Sequence, residues 1–200
     1  MSHQVAPFLG IMFAPRRTYR ALADSSPLRP GGLPLIAGGY LGWIGACLAM
    51  LNTGGLDVLT GLDAALCWSF LVPLQLGFLA LLSGHGPSAT IPFGERARRY
   101  YLGFGPWLLW LWALASVRLF VPPPHDVHLG FLLPMSLALV LAWGFLIKLQ
   151  FFRAGLGLGP WRALLAAALH GAGVWGAPLA FFWISGQLTP RVLEIMGGSP

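Results

Sequence analysis

The sequence predicts an all-α fold, a polytopic membrane bundle of five transmembrane helices preceded by a short amphipathic helix at the membrane interface. Two features of composition support this prediction. Of the 200 residues, 56% are hydrophobic and only 9% are charged, whereas a soluble domain carries about 25% charged residues to meet water. Five apolar stretches are also long enough to cross a bilayer, and most basic residues fall on one side of them.

The first 32 residues precede the first apolar stretch, and we expect a short helix within them. Pro15 suits the first position of a helix, because a backbone N–H at that position has no partner within the helix. Tyr19 and Leu22 then fall three residues apart on one side of the helix. The pattern predicts an amphipathic helix on the inner leaflet, with its arginines reaching water or lipid headgroups. These arginines are Arg16, Arg17 and Arg20.

A spanning helix needs about 20 apolar residues, because each residue rises about 1.5 Å through a hydrocarbon core about 30 Å thick. The stretches that qualify form a predicted membrane domain over residues 33–185, and residues 186–200 form a short tail outside. Pro73 and Pro178 predict kinks in the second and fifth helices, since proline donates no backbone hydrogen bond. The five stretches are residues 33–51, 64–82, 102–120, 129–149 and 163–185.

The basic residues are distributed unevenly across these spans. Of the 12 lysines and arginines, only Arg118 and Arg191 fall on the side away from the N-terminus. The positive-inside rule therefore predicts a cytoplasmic N-terminus and a C-terminus outside, in a bacterial inner membrane. We expect most of the inner basic residues to meet lipid headgroups. That set comprises Arg16, Arg17, Arg20, Arg96, Arg98, Arg99, Arg153 and Arg162, and the inner side also holds Arg29 and Lys148.

Small residues spaced by four predict helix contact faces, because helices in lipid associate through close backbone approach. The first and the fifth spans each carry such a row, and we expect both rows to face protein, with each other as one candidate pairing. Chance is the alternative, since the chain has 27 glycines. The rows are Gly38, Gly42 and Ala46, and Ala168, Ala172, Gly176 and Ala180.

Gln75 and His170 are the deepest polar side chains in the predicted spans. Polar groups inside a membrane are costly and are often functional. For His170 we expect a neutral ring that is hydrogen-bonded across helices, and the alternative is a role in proton relay or ligand binding. None of the five spans contains an Asp or Glu, so a carboxylate-based ion pathway lacks its usual residues.

A short run after three prolines contains His125, Asp126 and His128, all of which can bind metal ions. Two histidines three residues apart in a loop are weak evidence, so a solvated turn is the preferred interpretation. Cys47 and Cys67 form no metal-binding pattern. If the first two helices are neighbours, the two thiols lie at similar depth, so a disulfide and two reduced thiols are both open.

These observations exclude some functions and leave three. The basic residues form no dense patch with interleaved aromatic residues, so we expect no nucleic-acid binding. The preferred hypothesis is a non-enzymatic membrane protein that needs no cofactor and acts through helix contacts. It would serve as a scaffold, a membrane organiser or an accessory subunit, with the bilayer and either a membrane-protein partner or another copy as its contacts. A transporter or channel, and a metal-dependent membrane enzyme, are the alternatives.

Three stretches of the sequence resemble bacterial YIP1-family membrane proteins. They are PRRTYRALAD at residues 15–24, SGHGPSATIPFGERARRYYLGFGPW at residues 83–107 and FFRAGLGLGPWRALLAAAL at residues 151–169. The resemblance implies a five-helix membrane domain without known catalytic residues. Eukaryotic members of the family contact small GTPases through an extended N-terminal region, and this chain has only about 32 residues before its first span.

Overall fold

The structure, a computed structural model, describes the backbone of residues 2–23, 32–84, 89–120 and 126–195. Its regular elements within these ranges are all helical, which confirms the predicted all-α class. Side chains are described there except at residues 2–6, 23, 32–33, 126–134, 178, 181–182 and 185–195. The elements are α1 (Ser2–Phe13), α2 (Pro15–Ala23), α3 (Gly32–Thr53), α4 (Val58–Trp68), α5 (Leu71–Ser83), α6 (Phe93–Leu102), α7 (Gly105–Phe120), α8 (Asp126–Gln150), a π-helix (Phe151–Gly155) and α9 (Pro160–Ile195).

Three helical stretches of the described chain are long and apolar enough to cross a membrane, namely Pro34–Thr53, Val58–Ser83 and Met135–Gly155. A fourth candidate is the pair α6 and α7, which is bent by 43° at its break. The chain is therefore a membrane protein with three or four candidate spans. The last predicted span, residues 163–185, lies inside the 36-residue helix α9, and a count of five stays a prediction.

The second apolar stretch is broken at Ser69 and Phe70, between α4 and α5. Pro73 has no N–H to donate to the carbonyl of Ser69, four residues earlier. The Val72 N–H donates to that carbonyl instead, at 3.2 Å, and this shorter connection tightens the turn. The helix is therefore interrupted before Pro73, whereas α9 continues as one helix through Pro178. A kink at either proline stays a prediction.

Helices α3 and α4 pack through glycine, and a tight turn joins them. Gly54 ends α3 with a φ of 71°, a conformation that side chains with a Cβ rarely adopt. Asp57 caps the first turn of α4 by accepting hydrogen bonds from the backbone N–H groups of Leu59 and Thr60. Hydrogen bonds from Thr60, first from its hydroxyl, lower the pKa of the exposed Asp57 carboxyl.

The closest approach of α3 and α4 lies at Gly45. A Cβ on Gly45 would collide with the backbone carbonyl oxygen of Gly61, so only glycine fits there. Ala49 and Ala65 flank the crossing, one turn further along each helix. Small residues spaced by four therefore do form a contact face in α3, as expected for helices in lipid, but in a different row from the predicted one.

The two predicted small-residue rows have few neighbours among the described residues, so their role as contact faces stays a prediction. Apart from the backbone of the same helix, no heavy atom of the described chain comes within 4 Å of a Cβ built on Gly38, Gly42 or Gly176. Ala46 is half-buried, and Ala168, Ala172 and Ala180 are exposed. Nor do the rows face each other, since α3 packs mainly on α4 and α7, and α9 packs mainly on α5 and α8. The reason is that both helices carry small residues on more than one face.

The N-terminal segment holds a helix that the sequence analysis did not predict. Helix α1 precedes the predicted α2, and its last turn lies against α8, where the Trp143 indole N–H donates to the Met12 carbonyl at 3.1 Å. Helix α2 begins at Pro15, and its location at the membrane interface stays a prediction. It packs on the π-helix, and we call the end of the bundle where α2, α6 and the π-helix meet the arginine-rich end.

The glycine crossing gives a stability prediction. Replacing Gly45 with alanine should lower the free energy of unfolding by about 1–3 kcal/mol, the usual cost of overpacking, because the Gly61 carbonyl cannot move aside freely. Gly42→Ala is the matched control in an open part of the same helix, and it should leave stability unchanged or raise it. Thermal unfolding in detergent, followed by circular dichroism, measures both. Equal melting temperatures for the two variants would contradict the assigned crossing.

Candidate functional site

Tyr19 fixes helix α2 to the arginine-rich end. Its side chain is 0% exposed, and its ring lies edge-on to Phe151 at 5.7 Å between centroids. Its hydroxyl donates to the backbone carbonyl of Arg99 at 3.4 Å. Burial raises the pKa of the Tyr19 phenol well above its ordinary value, so the hydroxyl stays neutral. One turn of a short helix is thereby anchored in the core.

The arginines of α2 point away from the core, in contrast to Tyr19. Arg16, Arg17 and Arg20 are all exposed, as are the two predicted headgroup arginines further along the chain, Arg153 and Arg162. This division follows from the helical period, because residues three and four apart share a face. Contact of these five side chains with lipid headgroups stays a prediction.

Two other arginines depart from the prediction of headgroup contact. Arg96 and Arg99 are buried in the protein, at 9% and 4% exposure. Arg99 pairs with Glu95 at 2.8 Å and also donates to the Gly155 carbonyl at 3.4 Å. A guanidinium with five donors in a planar fork suits such multiple acceptors. Arg99 therefore links α6 to the π-helix rather than to lipid.

Arg96 connects the same helix to the end of α5. It donates to the backbone carbonyl of Ser83 and to its hydroxyl, the latter at 2.8 Å. The last carbonyls of a helix have no partner inside that helix, so a buried helix end needs donors from elsewhere. Arg98, between the two, is half-buried, and its Nε has no hydrogen-bond partner in the part of the chain that the structure describes.

Gln75 and His170 both lie in the interior, at 2% and 0% exposure. The Gln75 amide donates to the Tyr40 hydroxyl at 3.3 Å, and its Oε1 accepts no hydrogen bond from the described residues. His170 is packed among rings, with the Tyr100 centroid 4.9 Å away and that of Phe152 6.2 Å away. The backbone of Gln75 lies close to His170, yet neither ring nitrogen forms a hydrogen bond of regular geometry with the described chain.

A cavity of about 150 Å³ lies between α7, α8 and α9 near the arginine-rich end. Its walls are mostly aromatic and aliphatic, and Lys148 supplies a cationic group. Neither Gln75 nor His170 is among the lining residues, so the cavity is not the polar chamber that a transporter built on those two residues would need. The side chains that define it are Tyr19, Tyr100, Trp107, Leu141, Lys148 and Trp175.

The π-helix shapes this end of the cavity. The N–H of Leu156 donates to the carbonyl of Phe151 at 3.0 Å, five residues earlier, as in the wide turn of a π-helix. Phe151 and Phe152 are consecutive, yet both are buried, at 1% and 0% exposure. Gly157 then turns the chain into α9 with a φ of 70°. Short π-helices occur frequently at functional sites.

The proposed metal ligands cannot be placed. His125 lies outside the described residues, as do the side chains of Asp126 and His128. In the described part of the chain no group of three or more His, Cys, Asp or Glu side chains could hold a metal ion. Cys47 is buried and Cys67 is exposed, and both are free thiols, so the disulfide alternative is not realised although α3 and α4 are neighbours.

Sequence reasoning missed the cavity and the residues that close it. Lys148 is the only lysine in the chain and lies inside an apolar run, which was a usable signal. Tyr100 and Tyr101 precede the third apolar stretch, where interfacial aromatic residues are common, but both are buried, at 3% and 4% exposure. No pattern in the sequence distinguishes a core tyrosine from one at a membrane interface, because both environments suit an amphipathic ring.

Comparisons with protein-family models, with curated proteins and with solved structures find no match to this chain.

The buried ion pair gives a second stability prediction. Glu95→Gln leaves the Arg99 charge buried without its counter-ion, which typically costs about 3–5 kcal/mol. We expect a large fall in melting temperature in detergent, and Glu95→Gln combined with Arg99→Gln should recover part of it. Asp63→Asn, at an exposed carboxylate of α4, is the control and should unfold like the wild type. A single Glu95→Gln variant as stable as this control would refute the assigned role of the pair.

Proposed function

We propose that this chain is a non-enzymatic membrane protein that acts through contacts, as a scaffold, a membrane organiser or an accessory subunit of a membrane complex. The observation that carries the proposal is the separation of buried and exposed side chains in α2. Tyr19 is completely buried, while Arg16, Arg17 and Arg20 on the same short helix are exposed. A basic surface held rigidly by the bundle loses little entropy when an acidic partner or an anionic headgroup binds it.

The buried charges are consistent with this proposal. Arg96, Arg99 and Glu95 are engaged in joining α5, α6 and the π-helix, so they act as structural connections. The exposed arginines of α2 have no ion pair with the described residues and are accessible to a ligand. We therefore place the partner-binding surface on α2, with lipid or protein as its contact.

The proposal includes five spans with a cytoplasmic N-terminus in a bacterial inner membrane. The basic residues support this orientation, because Arg16, Arg17 and Arg20 lie at the same end of the bundle as the buried arginines of α6. The relationship to the YIP1 family is part of the same proposal, and its support is the three sequence stretches that resemble that family.

Topology can be tested with reporter fusions to residue 200. Five crossings with the N-terminus inside put the C-terminus outside the cytoplasm, so a fused alkaline phosphatase should be active and a fused green fluorescent protein dark. The reverse pattern is expected for the same reporters inserted after residue 157, in the turn before α9. Active phosphatase at both positions, or at neither, would rule out the proposed arrangement.

The partner surface can be tested by neutralising α2. In the triple variant Arg16→Gln, Arg17→Gln, Arg20→Gln, recovery of a co-purifying membrane protein from mild detergent should fall about tenfold or more, since losing one member of a charge pair buried in an interface costs about 2–5 kcal/mol. Quantitative mass spectrometry of cross-linked membranes measures this recovery.

The control for this experiment is Arg153→Gln with Arg162→Gln, which removes exposed charges outside α2. These substitutions should leave recovery within about twofold of the wild type. A protein partner on α2 is ruled out if the wild-type chain runs as a lone monomer in every mild detergent, or if both sets of substitutions reduce recovery equally.

A further inference from the structure

The cavity near the arginine-rich end has the shape of a slot parallel to the helices. Along α8 its lining runs from Val140 to Lys148, which at about 1.5 Å per residue is about 12 Å. On α9 it is lined by Gly171 and Trp175, one turn apart. Its volume of about 150 Å³ matches engineered apolar cavities that bind a molecule of the size of benzene. The slot therefore accommodates a segment of hydrocarbon chain.

The polar groups of the slot are concentrated at one end. Lys148 lies there, and so does Tyr19, which closes that end. Tyr100 also lines the cavity, is 3% exposed, and has a hydroxyl without a hydrogen-bond partner in the described part of the chain. An ammonium and an unpaired phenol in apolar surroundings are both costly unless something accepts their hydrogen bonds.

The described residues supply no such acceptor. Their one ion pair joins Glu95 to Arg99, and Lys148 makes no ion pair or hydrogen bond with them. His170 interacts electrostatically with Lys148. An imidazole carries no negative charge, so it does not compensate the ammonium. A ligand with an anionic oxygen would compensate both Lys148 and Tyr100.

One wall of the slot opens to the membrane. Leu141 and Phe145 line the slot and are exposed, at 44% and 36%. Both lie in the candidate span Met135–Gly155, so in a bilayer they face acyl chains. A hydrocarbon tail can therefore enter from the side, and its head remains at the level of Lys148.

We propose that this slot binds an anionic phospholipid from the surrounding bilayer, with part of one acyl chain between α7, α8 and α9 and its phosphate beside Lys148 and Tyr100. The phosphate accepts hydrogen bonds from both donors, and the chain fills the apolar length of the cavity. A cleft lined by Arg16, Arg17, Arg20 and Gln150 lies at the same end of the bundle and attracts anionic headgroups toward it. Binding at this site requires no protein partner.

Native mass spectrometry of the full-length protein in detergent tests the proposal, with phosphatidylglycerol, phosphatidylcholine and free oleate as separate probes. The wild type should retain phosphatidylglycerol about tenfold better than phosphatidylcholine, because both lipids carry the phosphate but the choline ammonium of phosphatidylcholine repels the Lys148 ammonium. Lys148→Met should abolish that preference. Arg162→Met, at an exposed arginine outside the slot, should keep it.

Filling the slot provides a second test that does not alter charge. A Cβ on Gly144 meets no heavy atom within 4 Å, and Gly144 lines the cavity, so leucine there should occupy the space of the acyl chain. Gly144→Leu should lose phosphatidylglycerol at least about tenfold. Gly176→Leu, at an equally open position of α9 outside the lining, should bind like the wild type.

A third measurement follows tryptophan fluorescence and neither fills the slot nor changes its charge. Phosphatidylglycerol brominated along its acyl chain should quench Trp107 and Trp175, which line the slot, and the quenching should be smaller in Trp107→Phe with Trp175→Phe. Equal retention of phosphatidylglycerol and phosphatidylcholine by the wild type would overturn the proposal. So would retention of oleate alone, an unchanged preference in Lys148→Met, or unchanged binding in Gly144→Leu.

Discussion

The arginine-rich end of this protein depends on one buried side chain, Arg99. Its guanidinium pairs with Glu95 in the same helix and donates to the carbonyl of Gly155 in the π-helix, while its backbone carbonyl accepts the hydroxyl of Tyr19. One residue thus joins α2, α6 and the π-helix. Because a buried charge is costly unless it is paired and hydrogen-bonded, this arrangement ties the positions of three separate segments to one another.

The consequences of this arrangement extend to both candidate surfaces. Fixing Tyr19 in the core turns the arginines of α2 outward and at the same time closes one end of the cavity beside α8. The burial of Tyr19 therefore produces both the rigid basic surface of α2 and the closed end of the slot. In that sense the proposed contact function and the proposed lipid site share a structural origin, although different side chains serve them.

Away from the arginine-rich end, close packing holds the helices together more than polar contacts do. The crossing of Gly45 with Gly61 brings two backbones into contact, and in lipid such close packing replaces the hydrophobic effect as the source of association. The break before Pro73 divides the same stretch into two helices with different neighbours, since α4 packs on α3 and α5 packs on α9.

The sequence by itself determined the class of the protein and the approximate position of its helices. Apolar length, scarce charge and proline placement act locally, so the membrane character, the start of α2 at Pro15 and the break before Pro73 were predictable from composition and spacing. Helix α1 was missed because its 12 residues are too few to span a membrane, and its stability depends on packing against α2 and α8.

Only the tertiary structure decided which face of each helix is used. Several rows of small residues satisfy the same spacing rule, so the choice of Gly45 over Gly42 depends on the neighbouring helix. In the same way, Ala167 in α9 is buried whereas Ala168 is exposed. The same holds for Arg99, Tyr100 and Lys148, whose residue types suit the membrane interface equally well. The burial of Arg99 and Tyr100 and the half-buried position of Lys148 follow from long-range contacts, because the chemistry of a side chain does not specify which distant segment will cover it.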